Sequence, residues 1–359
     1  MTTFDLPFRP IRGSLYEPSE LFSGFELSDR DSYVRTLDFR VFSQFVSSGG
    51  SLSADPLGTM MQSLHDNSIT NAMRTFLAGK QCVAVMGGHK MARNHDTYRA
   101  VATLARQLAR AGFTLASGGG PGAMEATHLG ARYSEADDAA FAATLHDLEQ
   151  APVLPKDLQL IVDPQGRPNL DLARAAHAWF APAWRAAVNP AASGTSLAIP
   201  TWHYGHEPST PLGSHIAKYF QNSIREDGLL AIAQSGIVFT EGKAGTTQEV
   251  FQDAAQNYYR SFGRFSPMVF LGVKYWTETL PVEKLLRALL AKEDFEKFVL
   301  FTDSVEEVKN FLIAANAPRT SVASYPALFR LSEGARALPP KTTRQARGRG
   351  GTTSSSVLE

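Results

Sequence analysis

Two glycine-rich segments, each preceded by an apolar run and followed by a helix-like run, most constrain how this chain folds. The first reads GGGPGAME over residues 118–125 and follows the apolar run 113–116. The second reads EGKAGTTQE over residues 241–249 and follows the apolar run 236–239. Glycines at a strand-to-helix turn let the backbone approach a ligand, and the free N–H groups of the first helical turn attract an anion. Two such turns predict an α/β protein with a phosphate-binding pocket.

The hydrophobic periodicity between and around these segments supports that fold class. A strand predicted at residues 81–86 ends in the run GGH at 87–89, and a helix with apolar residues at helical spacing follows it up to Gly112. The next strand and the helix after the first glycine segment complete a βαβα unit of a parallel sheet. Further strands are predicted at 196–200, 236–239, 268–272 and 298–301, and further helices at 215–226, 246–259, 282–291 and 304–315. We therefore predict a doubly wound, Rossmann-like parallel sheet with helices on both faces.

The rest of the chain suggests a domain plan around this sheet. Residues 1–75 show no clear period, apart from a short helix predicted at 66–77, and are interpreted as an N-terminal extension. Residues 76–330 form the Rossmann-like domain. Residues 331–359 are rich in Gly, Thr, Ser and basic side chains, a composition typical of a disordered tail.

The segment at about residues 135–192 interrupts the strand–helix alternation and is interpreted as an insertion or lid. It is predicted to contain a strand at 158–162, a turn at 163–166 and a helix at 169–188. The insertion is therefore expected to be mainly helical.

Composition and charge exclude several classes of protein. The chain is 43% hydrophobic and 19% charged, and its formal net charge is zero, so no global field attracts it to nucleic acid or to a membrane surface. No apolar stretch is long enough to span a bilayer. The single cysteine, Cys82, excludes an intrachain disulfide and a CxxC metal or redox motif. The N-terminus lacks the pattern of a secretory signal, so a cytoplasmic protein is expected.

Glu249 is the residue of the second segment that points to catalysis. It lies three residues after Thr246, and this spacing has two interpretations. Thr246 and Glu249 could form a capping box at the start of a helix. Alternatively, Glu249 points into the cleft as the carboxylate that assists cleavage of a glycosidic bond.

The two glycine segments together resemble the Lonely Guy family of phosphoribohydrolases, which are often mislabelled lysine decarboxylases and have a signature close to PGGxGTxxE. The resemblance is closer to the bacterial nucleotide 5′-monophosphate nucleosidases of that superfamily. Those proteins carry a similar GGH strand end, as at residues 87–89, and a similar GPGAMEA loop, as at 120–126. The run EPSTP at 207–211 is similar to their EPPNP stretch. The resemblance covers about residues 80–275 without the insertion.

This resemblance implies hydrolysis of the N-glycosidic bond of a nucleoside 5′-monophosphate to free base and ribose 5-phosphate. It implies Glu249 and Arg225 as the catalytic pair, no cofactor, no metal, and a homodimer or higher homo-oligomer. The implied nucleotide-binding residues are Gly87, Gly88, His89, Gly118, Gly119, Gly120, Gly122, Met124, Gly242, Gly245, Thr246 and Thr247. The expected partner is a small-molecule nucleotide, with neither nucleic acid nor membrane.

Several alternatives stay open. Glu241 and Lys243 stand where the family has a proline and a glycine, which favours a second hypothesis of a nucleotide-binding sensor or carrier without turnover. Activation of cytokinin riboside monophosphates is a narrower version of the first hypothesis. Arg225 could instead lie on a solvated helix face, because the MHxRK pattern of the family is absent around it.

The histidines of the 201–208 loop offer a weaker prediction. His203, His206 and Glu207 resemble part of a metal site, but no third histidine is nearby, so no metal is expected. Stacking of Trp202 or Tyr204 on a base is the preferred interpretation of this loop.

Overall fold

The strands form one sheet whose order places the two glycine segments close together. A computed structural model of the chain describes residues 6–53 and 55–317, so the predicted tail at 331–359 lies outside the described residues. The strands are β1 (Cys82–Met86), β2 (Thr114–Ser117), β3 (Ser196–Ala198), β4 (His215–Ile216), β5 (Ile237–Phe239), β6 (Met268–Leu271) and β7 (Val299–Thr302). Their order is β4-β3-β2-β1-β5-β6-β7, and every pair is parallel.

Helices lie on both faces of this sheet. They are α1 (Pro18–Leu21), α2 (Leu37–Ser47), α3 (Pro56–Leu77), α4 (Asp96–Arg110), α5 (Ala123–Arg132), α6 (Asp138–Glu149), α7 (Leu170–Val188), α8 (Asn222–Ile232), α9 (Ala244–Tyr258), α10 (Val282–Leu289), α11 (Lys292–Phe298) and α12 (Val305–Ala315). The prediction of a doubly wound α/β fold with a helical insertion is confirmed.

Alternation along β1 shows how the two faces are built. Val83 and Val85 belong to one buried cluster, shared with α4, α5 and α12, whereas Ala84 and Met86 belong to a second cluster on the other face. A strand that is buried on both faces reads as a continuous apolar run, which is why this part of the sequence was informative.

The sheet has its topological switch point between β1 and β5. The chain runs from β1 outward to β4 and then returns to β5, on the other side of β1. In open parallel sheets the crevice outside the carboxyl ends of the strands at such a point is the usual ligand site. Both glycine segments start at this edge, since one follows β2 and the other follows β5.

The predicted strand at 158–162 is wrong. Leu158–Leu160 is a turn of 3-10 helix, and Val162 makes only an isolated bridge to Pro168. Leu158 and Ile161 are buried, whereas Leu160 is 62% exposed. Burial at a spacing of three suits a helical turn, and the sequence does not show which of these apolar residues face the core. The predicted turn at 163–166 is present, with Gly166 N–H donating to Asp163 O at 2.9 Å.

The predicted helix at 215–226 is also wrong in its first half. His215 and Ile216 form β4, and the register pairs them with Leu197 and Ala198 of β3. The chain stays extended through Tyr219, whose N–H donates to Pro200 O at 3.0 Å. Pairing with a distant strand overrides local helix propensity here, because the sheet supplies hydrogen-bond partners that no local pattern reveals.

The N-terminal segment adds to both the sheet edge and the core. Tyr16 and Ile216 exchange two backbone hydrogen bonds, with N···O distances of 3.0 and 2.8 Å, in an antiparallel bridge at the edge strand. Tyr16, Phe22 and Phe45 are buried in the same cluster as Trp202 and Phe220. Residues 6–53 therefore contribute to the core on one face of the sheet.

Asp253 is a buried carboxyl group that makes the stability of the protein depend on pH. Its side chain is 2% exposed, and Oδ2 lacks a hydrogen-bond partner among the described residues. Burial raises its pKa well above the usual value, so the folded state holds a proton that the unfolded chain, with a pKa of about 3.9, gives up. Stability is therefore lost as the pH rises above about 4.

We expect Asp253→Asn to stabilise the protein at pH 7–8 by about 1–3 kcal/mol, because asparagine fills the same space and cannot ionise. The gain shrinks towards pH 4, where the wild-type carboxyl group is neutral in both states. Urea unfolding at a series of pH values measures the difference, and a stability change independent of pH would contradict the assignment.

Candidate functional site

The two glycine segments meet at the switch point. Gly88 N–H, just after β1, donates to Glu241 O, just after β5, at 2.9 Å. A Cβ on Gly87 would lie 1.9 Å from Thr240 Oγ1, so only glycine fits between the two strand ends. The run at 87–89 thus joins the two glycine loops.

The first glycine loop is buried and tightly packed. Gly119 and Gly122 have φ angles of +69° and +71°, which favour glycine. A Cβ on Gly122 would lie 2.4 Å from Gly88 O, and one on Gly120 would lie 2.9 Å from Met124 Cε. Met124 therefore packs against the loop that it follows. The loop is a shaped wall of the cleft whose backbone comes close to β1.

Two buried polar groups support this first loop from behind. Glu125 accepts two hydrogen bonds from Arg93, at 2.7 and 2.8 Å, and one from the Tyr98 hydroxyl at 2.8 Å. Arg93 also donates to Trp179 O at 2.7 Å, which ties α7 of the insertion to the loop. Glu125 is fully buried, so it acts in structure and not in the cleft.

His128 is the second of these groups. It is fully buried and its ring nitrogens lie 2.8 Å from Ser117 Oγ and 2.9 Å from Ser196 Oγ. Burial lowers its pKa to about 3, so the ring is neutral and links β2 to β3.

The second glycine loop is open to solvent. Helix α9 starts at Ala244, and Lys243, Ala244 and Gly245 are exposed. Lys243, the N-cap residue of this helix, makes no capping hydrogen bond with its side chain, and the first N–H groups of a helix attract an anion. Lys243 has a φ of −111°, an ordinary value for a residue with a side chain. A lysine is therefore accommodated at this position without a left-handed backbone, and it adds a positive charge beside the helix terminus.

The capping-box interpretation is wrong. Thr246 lies inside α9 and not at its N-cap position, which Lys243 occupies. Thr246 is buried against Gly242, where a Cβ would lie 2.1 Å from Thr246 Oγ1. Thr247 Oγ1 donates to Lys243 O at 3.0 Å. Glu249 therefore does not form a capping box with Thr246, which was the interpretation of this residue that needed no ligand.

Glu249 is a partly exposed carboxyl group one turn inside α9. Among residues 6–53 and 55–317 it has no hydrogen-bond or ion-pair partner. Burial raises its pKa to about 7; the charge of Arg225 lowers it, and the charge of Glu226 raises it further. A carboxyl group with a pKa near neutrality, close to a cation, is suited to proton transfer at physiological pH.

Arg225 is 9% exposed, so the solvated-face interpretation is wrong. Its Nε donates to Ile199 O at 2.9 Å, and Nη2 to Gly118 O at 3.4 Å. A Cβ on Gly118 would lie 2.0 Å from Nη2, so the glycine makes room for the guanidinium. Arg225 thus contacts Gly118 of the first glycine loop, and its charge acts on Glu249 of the second.

Glu207 and His89 lie at the other side of the first loop. The Glu207 carboxylate is 3.6 Å from His89 Nδ1, and Oε2 would lie 3.8 Å from a Cβ on Gly120. Thr210 N–H donates to Gly119 O at 2.8 Å, which fixes this segment onto the loop.

No group of three or more potential metal ligands is present in residues 6–53 and 55–317. Trp202 is fully buried, so the expectation that it stacks on a base is wrong; Tyr204 is 41% exposed.

Sequence reasoning missed the residues that fix the 201–211 segment. Asp38 of α2 accepts from Trp202 Nε1 at 2.9 Å and from Lys218 Nζ at 2.5 Å, and Lys218 also donates to Ser209 Oγ at 2.7 Å. All three hydrogen bonds are buried, and Trp202 and Lys218 are 164 and 180 residues from Asp38 along the chain. No local pattern marks an aspartate 180 residues from its lysine.

A cavity of about 540 Å³ lies at the opposite edge of the sheet, where it is lined by Phe22, Trp184 and the residues just before β3 and β4. Arg132, in its wall, donates to Ala187 O at 3.1 Å and to Gly194 O at 3.2 Å. The arginine therefore caps the end of α7, and this cavity is separate from the glycine-loop cleft.

No model of a known protein family and no curated protein matches this chain. Within the described part of the chain, no helix combines the length and apolar character needed to cross a bilayer.

Proposed function

We propose that the protein hydrolyses the N-glycosidic bond of nucleoside 5′-monophosphates, releasing the free base and ribose 5-phosphate. The observation that carries this proposal is the placement of Glu249. It is an unpaired carboxyl group with a pKa near 7, one turn inside a helix whose open N-terminus suits a phosphate. Ribose joins phosphate to base, so a phosphate at this terminus brings the sugar towards Glu249.

The chemistry follows from these groups. As the bond from C1′ to the base nitrogen breaks, its electron pair leaves with the base and positive charge develops on the ribose. An ionised Glu249 stabilises that charge and takes a proton from the water whose oxygen bonds to C1′. The departing base takes up a proton from solvent.

Arg225 supports this role of Glu249 in two ways. Its charge opposes the effect of burial and so increases the ionised fraction of Glu249 at neutral pH. Hydrogen bonds to Ile199 O and Gly118 O hold Nε and Nη2 in place, and Nη1, which lies 4.0 Å from Glu226 Oε1, is the nitrogen proposed to meet a substrate.

The direct test is base release. The protein is incubated separately with AMP, GMP, CMP and UMP, and free base is measured by chromatography. We expect base and ribose 5-phosphate in equal amounts from at least one nucleotide. Nucleotide binding without base release would overturn the enzyme proposal in favour of a sensor or carrier. A cytokinin riboside monophosphate is tested in the same way, and release from it alone would restrict the proposal to the narrower substrate class.

The homo-oligomer and the cytoplasmic location remain predictions. Light scattering coupled to size-exclusion chromatography measures the first, and fractionation of cells that express the protein checks the second.

A further inference from the structure

Asp66 is a fully buried carboxylate on which three N–H groups converge. Phe220 N–H and Gln221 N–H donate to it at 3.0 and 2.9 Å, and His65 Nδ1 lies 3.1 Å from Oδ1. Asp66 is part of α3, in the predicted N-terminal extension, whereas its two backbone donors directly precede α8. The carboxylate thus connects distant parts of the chain.

This carboxylate accepts from the N–H of Gln221, the N-cap residue of α8, as the third-position side chain of a capping box does, and so anchors the start of that helix. The N-cap residue of that helix, Gln221, makes no capping hydrogen bond with its own side chain. An acceptor and a negative charge at a helix N-terminus stabilise its first turn. Here α3 supplies both, and the first turn of α8 contains Arg225, whose N–H donates to Gln221 O at 3.4 Å.

A second layer of contacts fixes the carboxylate itself. Burial lowers the pKa of His65, so its ring is neutral. The hydrogen bonds are then satisfied when Nδ1–H donates to Asp66 and Nε2 accepts from the Tyr16 hydroxyl, 2.9 Å away. The His65 ring also packs against Trp202 and Phe220, with ring centroids 5.5 and 5.1 Å apart. Asp66 therefore has one well-defined position.

We propose that Asp66 is a positioning residue for the catalytic pair: it holds the first turn of α8 so that Arg225 reaches Ile199 O, Gly118 O and the vicinity of Glu249. This inference rests on the proposed function for its effect on turnover. The placement of Arg225 by Asp66 does not depend on the proposed function, because its effect on the pKa of Glu249 is measurable without substrate.

The test variant is Asp66→Asn, which keeps the shape of the side chain, removes its charge and turns an N–H group towards N–H donors. The charged groups of α8 near Glu249 are Arg225 and Glu226, and the effect of Arg225 is the larger. When α8 shifts, the pKa of Glu249 is therefore expected to rise above its wild-type value. The ¹³C shift of the δ-carboxyl group in glutamate-labelled protein measures it, with Glu249→Gln for assignment. We expect kcat/KM for base release to fall about 10–100-fold.

Two comparisons separate positioning from a general loss of stability. Asp137→Ala removes the cap of α6, where Asp137 accepts from Ala140 N–H at 2.7 Å. It should lower the melting temperature without changing the pKa of Glu249. In an Arg225→Met background, Asp66→Asn should no longer raise that pKa, because the cation through which the rise occurs is gone and the remaining charged group of α8, Glu226, can only lower the pKa as it moves away.

The pKa of Glu249 in the variants decides whether Asp66 positions Arg225. A Glu249 pKa that stays constant or falls in folded Asp66→Asn protein overturns the inference, whether or not the wild type releases base. If Asp66→Asn does not fold, His65→Gln removes the ring with its contacts to Tyr16, Trp202 and Phe220 but leaves Asp66 and its two backbone donors, so it should raise the pKa of Glu249 by less. If the pKa rises but the wild type shows no base release, the positioning role stands and the proposed function fails.

Discussion

Glu249→Gln is expected to lower kcat for base release by about 10³-fold while leaving nucleotide affinity within a few-fold of the wild type. Glutamine fills the same space but carries no negative charge to stabilise the ribose cation and cannot accept a proton from water. Phosphate binding at the open N-terminus of α9 does not need the carboxylate, so affinity persists. Single-turnover base release and isothermal titration calorimetry with the same nucleotide measure the two quantities.

Glu241→Gln is the matched control for this variant. It makes the same chemical change in the second glycine loop, where the side chain of Glu241 is exposed. Only the backbone carbonyl of Glu241 accepts a hydrogen bond from Gly88, so the substitution leaves that contact intact. We expect kcat within about three-fold of the wild type, since an exposed charge contributes little. Equal base release by the Glu249→Gln and wild-type proteins would exclude Glu249 as the key carboxylate.

Arg225→Met should lower kcat/KM by about 10²-fold and move its dependence on pH. In the wild type the rate is expected to rise with pH through about 7, because the ionised form of Glu249 is the active one and burial raises its pKa to about 7. The arginine charge lowers that pKa, so its removal should shift the rising limb to higher pH. Profiles of kcat/KM between pH 5 and 9 test this shift.

Arg225→Lys divides the two roles of the guanidinium. Lysine keeps a positive charge but cannot donate to Ile199 O and Gly118 O with the same planar geometry. We expect a pH profile close to that of the wild type together with a lower maximal rate. If the rising limb of the Arg225→Met profile lies at the same pH as that of the wild type, Arg225 does not influence the ionisation of Glu249.

The N-terminal segment has more influence on the cleft than its irregular sequence suggests. Asp38 fixes the 201–211 segment through Lys218 and Trp202, and Asp66 fixes the start of α8. Both carboxylates are buried and both act across more than 150 residues of sequence. Removal of residues before β1 is therefore expected to disrupt the cleft as well as the fold, because these contacts have no substitute in the rest of the described chain.

Elements with a strong local pattern were predictable, whereas those made by long-range pairing were not. The strand predicted at 81–86 is β1 (Cys82–Met86). The helix predicted to extend to Gly112 is α4, which ends at Arg110. By contrast, β4 is two residues long and exists because β3 lies beside it. The turn at Leu158–Leu160 depends on which apolar side chains meet the core. Short elements carry too few residues for a period to be recognised.

The residue pattern alone indicated the fold class, the two glycine turns and the candidate Glu249, since glycines, apolar periods and the spacing of a carboxylate are local properties. The candidate Arg225 came from the family resemblance. Only the folded chain showed that α9 begins at Lys243–Ala244, that Thr246 is not its cap, and that Arg225 is buried against Gly118. It also gave Glu249 a pKa near 7. Burial and charge proximity arise when distant segments pack together, and both set the energy of an ionised group. The chemistry of this cleft is therefore decided by packing between α8, α9 and the strand ends.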